Sequence, residues 1–246
     1  MAINLDKSIE AVKITLEKLD FKEKVDVVFA LDVSASMTQM FRNGLVQELT
    51  ERLLAIGINM DQNQKIDVYT FGSHSTHIGE VERQNIDGFV DAKVFSRGLQ
   101  GSTRYAAVIK DIVKDYLGVA PTSGEPPKKG FLQRLFGGNT PVEAATNTHP
   151  VVVFFITDGD TFDAAETEKL IREHSNKPIF WQFVGIGNSH FSFLEKLDNM
   201  AGRTVDNANF FNAGDIRSIN DNELYSRILA ELPLWYKDAM EVGVIK

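Results

Sequence analysis

Residues 25–37, Val25-Asp26-Val27-Val28-Phe29-Ala30-Leu31-Asp32-Val33-Ser34-Ala35-Ser36-Met37, decide the architecture. The run is rich in Val and Phe, and polar residues interrupt it before a helix has room to form. It therefore reads as a strand buried on both faces, the pattern of parallel sheets. Its carboxyl end carries oxygen donors. Asp32, Ser34 and Ser36 alternate, so a tight loop leaving the strand turns a carboxylate and two hydroxyls toward one point. An oxygen-only set suits a hard cation such as Mg2+ and not Zn2+. The same residues admit a purely structural reading, in which Ser34 and Ser36 cap the next helix and Asp32 closes a turn.

Two distant segments bear on that choice. Gly101-Ser102-Thr103-Arg104-Tyr105 is a glycine turn feeding a helix, which sets the Thr103 hydroxyl at a helix start. His149-Pro150 followed by Val151-Val152-Val153-Phe154-Phe155-Ile156-Thr157-Asp158-Gly159-Asp160 is a second buried strand ending in a carboxylate turn. In an open parallel sheet of order 3-2-1-4-5-6 the first and fourth strands are neighbours, and ligands bind in the crevice where strand order reverses. Counting strands along the chain makes these two the first and the fourth. Asp32, Ser34, Ser36, Thr103 and Asp158 are then expected to meet at one switch point.

This set resembles the metal-ion-dependent adhesion site of von Willebrand factor A domains, the D-x-S-x-S…T…D pattern, and the likeness extends over about residues 22–231. All five positions carry the matching residue type in the matching order; Ala35 stands where the family often has Gly. The resemblance implies direct ligation of Mg2+, or of Mn2+ or Ca2+, by Ser34, Ser36 and Thr103, with Asp32 and Asp158 acting directly or through water. It also implies a Rossmann-like, doubly wound, mostly parallel six-stranded α/β sheet, order 3-2-1-4-5-6, with strand 3 antiparallel at the edge. Ile3-Asn4-Leu5 with Lys7, and later Leu16-Glu17-Lys18, look like the opening of TerD-family tellurium-resistance proteins, which points to the TerF-like and TerY-like intracellular group.

The 246 residues, 43% of them apolar, are enough for one α/β domain with a substantial core. We expect residues 1–21 as an N-terminal extension packed on a single domain at 22–246, with a loop insertion at about 118–148. A net charge of −8 without any long basic run argues against a nucleic-acid partner. The absence of cysteine excludes a disulfide framework, thiolate chemistry and a Cys-based zinc site. Met1–Lys7 is not a basic segment leading into an apolar core, and no run approaches a membrane span, so the expectation is a soluble cytoplasmic protein.

Along the chain, residues 3–20 fit either a helix or a strand pair. Phe41, Leu45, Leu49, Leu53 and Ile56 fall at helical spacing and predict a helix ending near Gly57. Lys65–Gly72 and Ser75–Val81 predict a hairpin. His74 and His77 flank its turn and read as polar surface. Residues 85–95 predict a short helix, and Tyr105, Val108, Ile109, Ile112, Val113, Tyr116 and Leu117 mark a core-facing helical stripe. The Pro/Gly-rich insertion centres on Phe131, Leu132, Leu135 and Phe136, read as a mini-helix on its own domain or a docking element. Asp160 and Asp163 either tune the ion through hydrogen bonds or favour a helix N-terminus. The remaining elements are a helix at 164–174, a strand at 177–187, a short helix at 191–197, a strand at 209–212 and a closing helix at 221–235.

Three functions are open to such a chain. In the first, hydroxyl ligands leave the cation's charge incompletely cancelled, so an Asp or Glu of a partner protein completes its shell. The setting would be a tellurium-resistance, stress-response or phage-associated assembly. The second is a Mg2+-dependent phosphotransfer enzyme of haloacid-dehalogenase type. That mechanism needs D-x-D in the first loop, where Ser34 has no pKa suited to acid/base work, so the chain is not expected to be an enzyme. The third is a purely structural domain.

Overall fold

The computed structural model describes residues 4–118 and 149–246. The insertion expected at about 118–148, with its Phe131–Phe136 cluster, lies outside the described residues except for Gly118.

Six strands form the sheet: β1 (Asp26–Asp32), β2 (Ile66–Phe71), β3 (Ser75–Val81), β4 (Val151–Thr157), β5 (Ile179–Ile186) and β6 (Ala208–Gly214). Their order is β3-β2-β1-β4-β5-β6. All neighbours are parallel except the hairpin β2–β3, where a register shift between Val68 and Tyr69 marks a bulge. The order reverses between β1 and β4, which pair from Asp26↔Val151 to Leu31↔Ile156. The fold is thus the doubly wound α/β sheet with an antiparallel edge.

Continuous apolar runs in β1 and β4 follow from burial on both faces. Val27, Phe29, Leu31, Phe154 and Ile156 join one core layer, while Val28, Ala30, Val153 and Phe155 join the other. The first layer is covered by α1 (Leu5–Lys18), α3 (Leu45–Met60), α7 (Asp221–Ile228) and α8 (Leu232–Glu241). The second is covered by α4 (Tyr105–Leu117), α5 (Ala164–Glu173) and α6 (Ser192–Asp198).

The structure decides between the alternatives at the N-terminus and departs from the expectations at several other elements. The N-terminal segment resolves to a helix: Asn4 caps α1, and α1 packs on α3 and α7. The Ser8 hydroxyl donates to Asp221 (2.7 Å), which also pairs with Arg52 (3.4 Å). The helix expected from Phe41 is two, α2 (Thr38–Arg42) and α3, because Gly44 adopts a left-handed φ of 76° between them. α3 does not end at Gly57. That glycine is an interior position where a Cβ would sit 2.4 Å from Ile66 of β2, so its role is close approach of helix to sheet and not termination. The segment at 85–95 is a π-turn over Val90–Val94 followed by a 3-10 turn, Phe95–Arg97. The closing helix also breaks, into α7 and α8, with Pro233 in the first turn of α8, where a missing N–H costs nothing.

Asp61 ties the end of α3 to the start of β1. Its carboxylate accepts from the backbone N–H of Val27 (2.9 Å) and of Asn63 (2.9 Å), and burial pushes its pKa up to about 6. A raised folded-state pKa means that the stability contribution is complete below the unfolded value near 3.8 and is lost as pH rises through about 6. Relative to Asp61→Asn, which cannot ionise, the wild type is therefore expected to lose stability between pH 4 and 7. Denaturant midpoints of the two proteins across that range check this, and parallel curves would refute it.

Candidate metal centre

β1 delivers Asp32 to the carboxyl edge of the sheet with no exposed surface. Both its oxygens are held. The Ser34 backbone N–H donates to Oδ1 (2.7 Å), which closes the turn, and the Thr157 hydroxyl at the end of β4 donates to Oδ2 (2.7 Å). Ser34 precedes a 3-10 turn, Ala35–Met37, but its hydroxyl does not cap it. It lies instead 3.0 Å from the Ser36 hydroxyl, which donates to Asp158 Oδ1 (2.9 Å). The serines are therefore not spent as helix caps. They form a line of oxygens, Ser34 to Ser36 to Asp158, bridging the turns that leave β1 and β4.

Thr103 reaches the same rim through its backbone, and its side chain is nearly buried. On one flank, Gln100 N–H donates to Val33 carbonyl (2.8 Å) and Gln100 bridges Ser34, while Arg104 N–H donates to Gly72 carbonyl (3.0 Å). On the other, the Thr103 carbonyl accepts from Phe162 N–H (3.0 Å) and from the Thr161 hydroxyl (3.0 Å), both in the turn after Asp158. The loop carrying Thr103 is thus stitched by its backbone between the two carboxylate turns, where Ser34, Ser36 and Asp158 meet through side-chain hydrogen bonds and the Ser34 N–H holds Asp32.

Burial pushes the Asp32 carboxyl up to about 6; the Ser34 and Thr157 hydrogen bonds oppose this and the charge of Asp158 adds to it. Burial likewise raises Asp158, against the Ser36 hydrogen bond. Among the described residues no cationic side chain is paired with either group, so two buried carboxylates share a site short of positive charge. Among the described residues there is no group of three or more His, Cys, Asp or Glu placed to hold a metal. An ion here would have to use hydroxyls, and the cluster supplies them. The donor set fits a hard divalent cation. It does not involve His77, whose Nε2 lies 2.7 Å from Asp67 on the antiparallel edge.

The two acidic residues beyond Asp158 cap helices, though not their own. Asp163 accepts from Tyr105 N–H (3.0 Å) and Ala106 N–H (3.2 Å) at the start of α4, and Asp160 accepts from the Ser192 hydroxyl (3.1 Å) and Phe193 N–H (3.3 Å) at the start of α6. Sequence reasoning missed Thr157 and the Tyr105 hydroxyl. Tyr105, read as packing, places its hydroxyl 3.1 Å from that of Thr157 and donates to the Gly159 carbonyl. The available signal was the polar Thr157 closing an otherwise apolar strand beside Asp158.

A family model for vWA-TerF-like domains, described as the vWA found in the TerF C terminus, matches residues 24–124 and 139–245. The chain is 33% identical over 246 residues to the uncharacterized protein YcbR of Bacillus subtilis (strain 168), covering 98% of this chain and 90% of that protein. Among solved structures it is similar to proximal thread matrix protein 1 from the mussel byssus (TM-score 0.51, 14% identity, 89% of this chain), though it spans only 48% of that chain's length. It is also similar to BatB from Bacteroides thetaiotaomicron (TM-score 0.47, 15% identity, 87% of this chain and 99% of that one). With a family match across most of its length and a sheet of the required order, the chain belongs to the TerF-like family of von Willebrand factor A domains.

Proposed function

We propose that this chain is a metal-dependent protein-binding module, in which a divalent cation held by Ser34, Ser36 and Thr103, with Asp32 and Asp158 beside them, accepts an Asp or Glu carboxylate of a partner protein. The observation that carries this reading is the line of hydroxyl and carboxylate oxygens at the rim, short of positive charge. When bound, the ion supplies a positive charge that the protein's own oxygens cancel only in part, and an external carboxylate answers it. Mg2+ is the favoured ion, with Mn2+ or Ca2+ as substitutes, since all three take oxygen ligands.

The chain's own residues do the positioning. Thr157 and the Ser34 N–H orient Asp32, Ser36 orients Asp158, and the Phe162–Thr103 backbone bond fixes the third turn. Ser34 faces Ser36 and not a second carboxylate, so the acid/base group of a phosphotransfer mechanism has no counterpart at that position. We read residues 22–246 as one such domain, with 1–21 packed against it as an extension, acting in the cytoplasm within a stress-response assembly of tellurium-resistance type. Among the described residues no helix is long and apolar enough to cross a membrane.

Capture from native lysate tests the reading. Immobilised wild type is expected to retain an acidic protein in Mg2+ and release it in EDTA, and Ser36→Ala is expected to retain none. The same proteins bound under all three conditions would refute metal-dependent binding.

A further inference from the structure

Phe162 is 80% exposed. A phenyl ring left in water forgoes the stabilisation that burial would bring; a lone exposed apolar side chain is ordinary on a protein surface, and what distinguishes Phe162 is where it stands. The ring also stands on a turn pinned at several points. Phe162 N–H and the Thr161 hydroxyl both donate to the Thr103 carbonyl, and the next residue, Asp163, caps α4. Phe162 is therefore one hydrogen bond from Thr103 at the edge of the metal centre.

Across Thr103, Arg104 is exposed between two buried neighbours and makes no ion pair among the described residues. The nearby exposed acid, Asp160, is committed to the start of α6. Arg104 is thus an uncommitted positive charge one residue from Thr103, on a chain whose net charge of −8 repels acidic proteins at long range. Local contacts must then select the acidic protein that docks.

We propose that Phe162 and Arg104 are recognition contacts flanking the metal centre. The occupant is a segment of another protein that carries one acidic side chain for the cation, a second for Arg104, and an apolar side chain against Phe162. This deepens the binding reading above and rests on it.

The test pans a displayed random-peptide library on the full chain in Mg2+, then measures the enriched peptides by fluorescence anisotropy against wild type, Phe162→Ala, Arg104→Glu and Ser36→Ala. Enriched peptides are expected to hold Asp or Glu beside an apolar residue and to lose binding in EDTA and with Ser36→Ala. Phe162→Ala and Arg104→Glu are each expected to weaken them at least about tenfold, as truncation of an interface anchor does, while keeping the Mg2+-induced rise in melting temperature of the wild type. Peptides that need Mg2+ and Ser36 but bind both rim variants as tightly as wild type overturn this inference and leave the metal reading intact. A wild type whose melting temperature ignores divalent ions overturns the metal reading itself. A library that enriches no acidic peptide, or a Mg2+-dependent dimer in sedimentation that Phe162→Ala dissolves, overturns the proposed occupant.

Discussion

Asp158→Ala is expected to abolish the thermal stabilisation that Mg2+ gives the wild type. At Mg2+ about a hundredfold above its Kd, one site present only in the folded state adds about 2.7 kcal/mol, which for a domain of this size raises the melting temperature by about 5–10 °C. Asp158 is one of two carboxylates at the site and receives the Ser36 hydroxyl, so its removal takes away both a charge and the anchor of the serine line. Loss of the shift would not reflect unfolding. Without metal, Asp158 adds repulsion to the buried Asp32, and burial opposes its own ionisation, so the variant is expected to be at least as stable as the wild type in EDTA. Differential scanning fluorimetry of both proteins with Mg2+, Mn2+, Ca2+ and EDTA separates the outcomes. A full Mg2+ shift in Asp158→Ala would remove that residue from the site, and an unresponsive wild type would remove the metal.

The other large effect belongs to the core. Phe155 of β4 is fully buried, with ring centroids 4.5 Å from Phe71, 4.7 Å from Tyr105 and 5.0 Å from Phe183. Phe155→Ala removes the centre of that group and leaves a cavity that β-strands on either side cannot close. The expected cost is about 3–5 kcal/mol, a fall in melting temperature of about 6–20 °C. Phe155→Leu, which fills more of the space, is expected to lose less. Tyr105 links this cluster to the metal centre, because its ring packs on Phe155 while its hydroxyl meets Thr157 and the Gly159 carbonyl. The cavity should therefore loosen the Asp32 anchor as well, and a variant as stable as wild type would show that the interior repacks freely.

Much of this was open to sequence reading because it is local. A doubly buried strand announces itself in consecutive residues, as Val27–Leu31 and Val151–Ile156 do, and the D-x-S-x-S spacing needs only five positions. Element boundaries were less legible. Gly57 looked like a helix end because glycine often is one, yet it serves contact with Ile66, nine residues on and in another element. The breaks at Gly44 and near Pro233 depended on which of several competing signals the tertiary packing would favour.

The sequence by itself determined which segments are strands and which oxygen-bearing side chains stand at strand ends, since both follow from periodicity and chain order, and the family resemblance implied the order of those strands in the sheet. Only the tertiary structure decided what those side chains touch. That Thr157 holds Asp32, that Asp163 caps α4 and Asp160 caps α6, and that Phe162 stands beside Thr103 are pairings across 33 to 125 residues of chain. A hydrogen bond is made by whichever donor the packed layers bring within about 3 Å, and no local pattern encodes that choice.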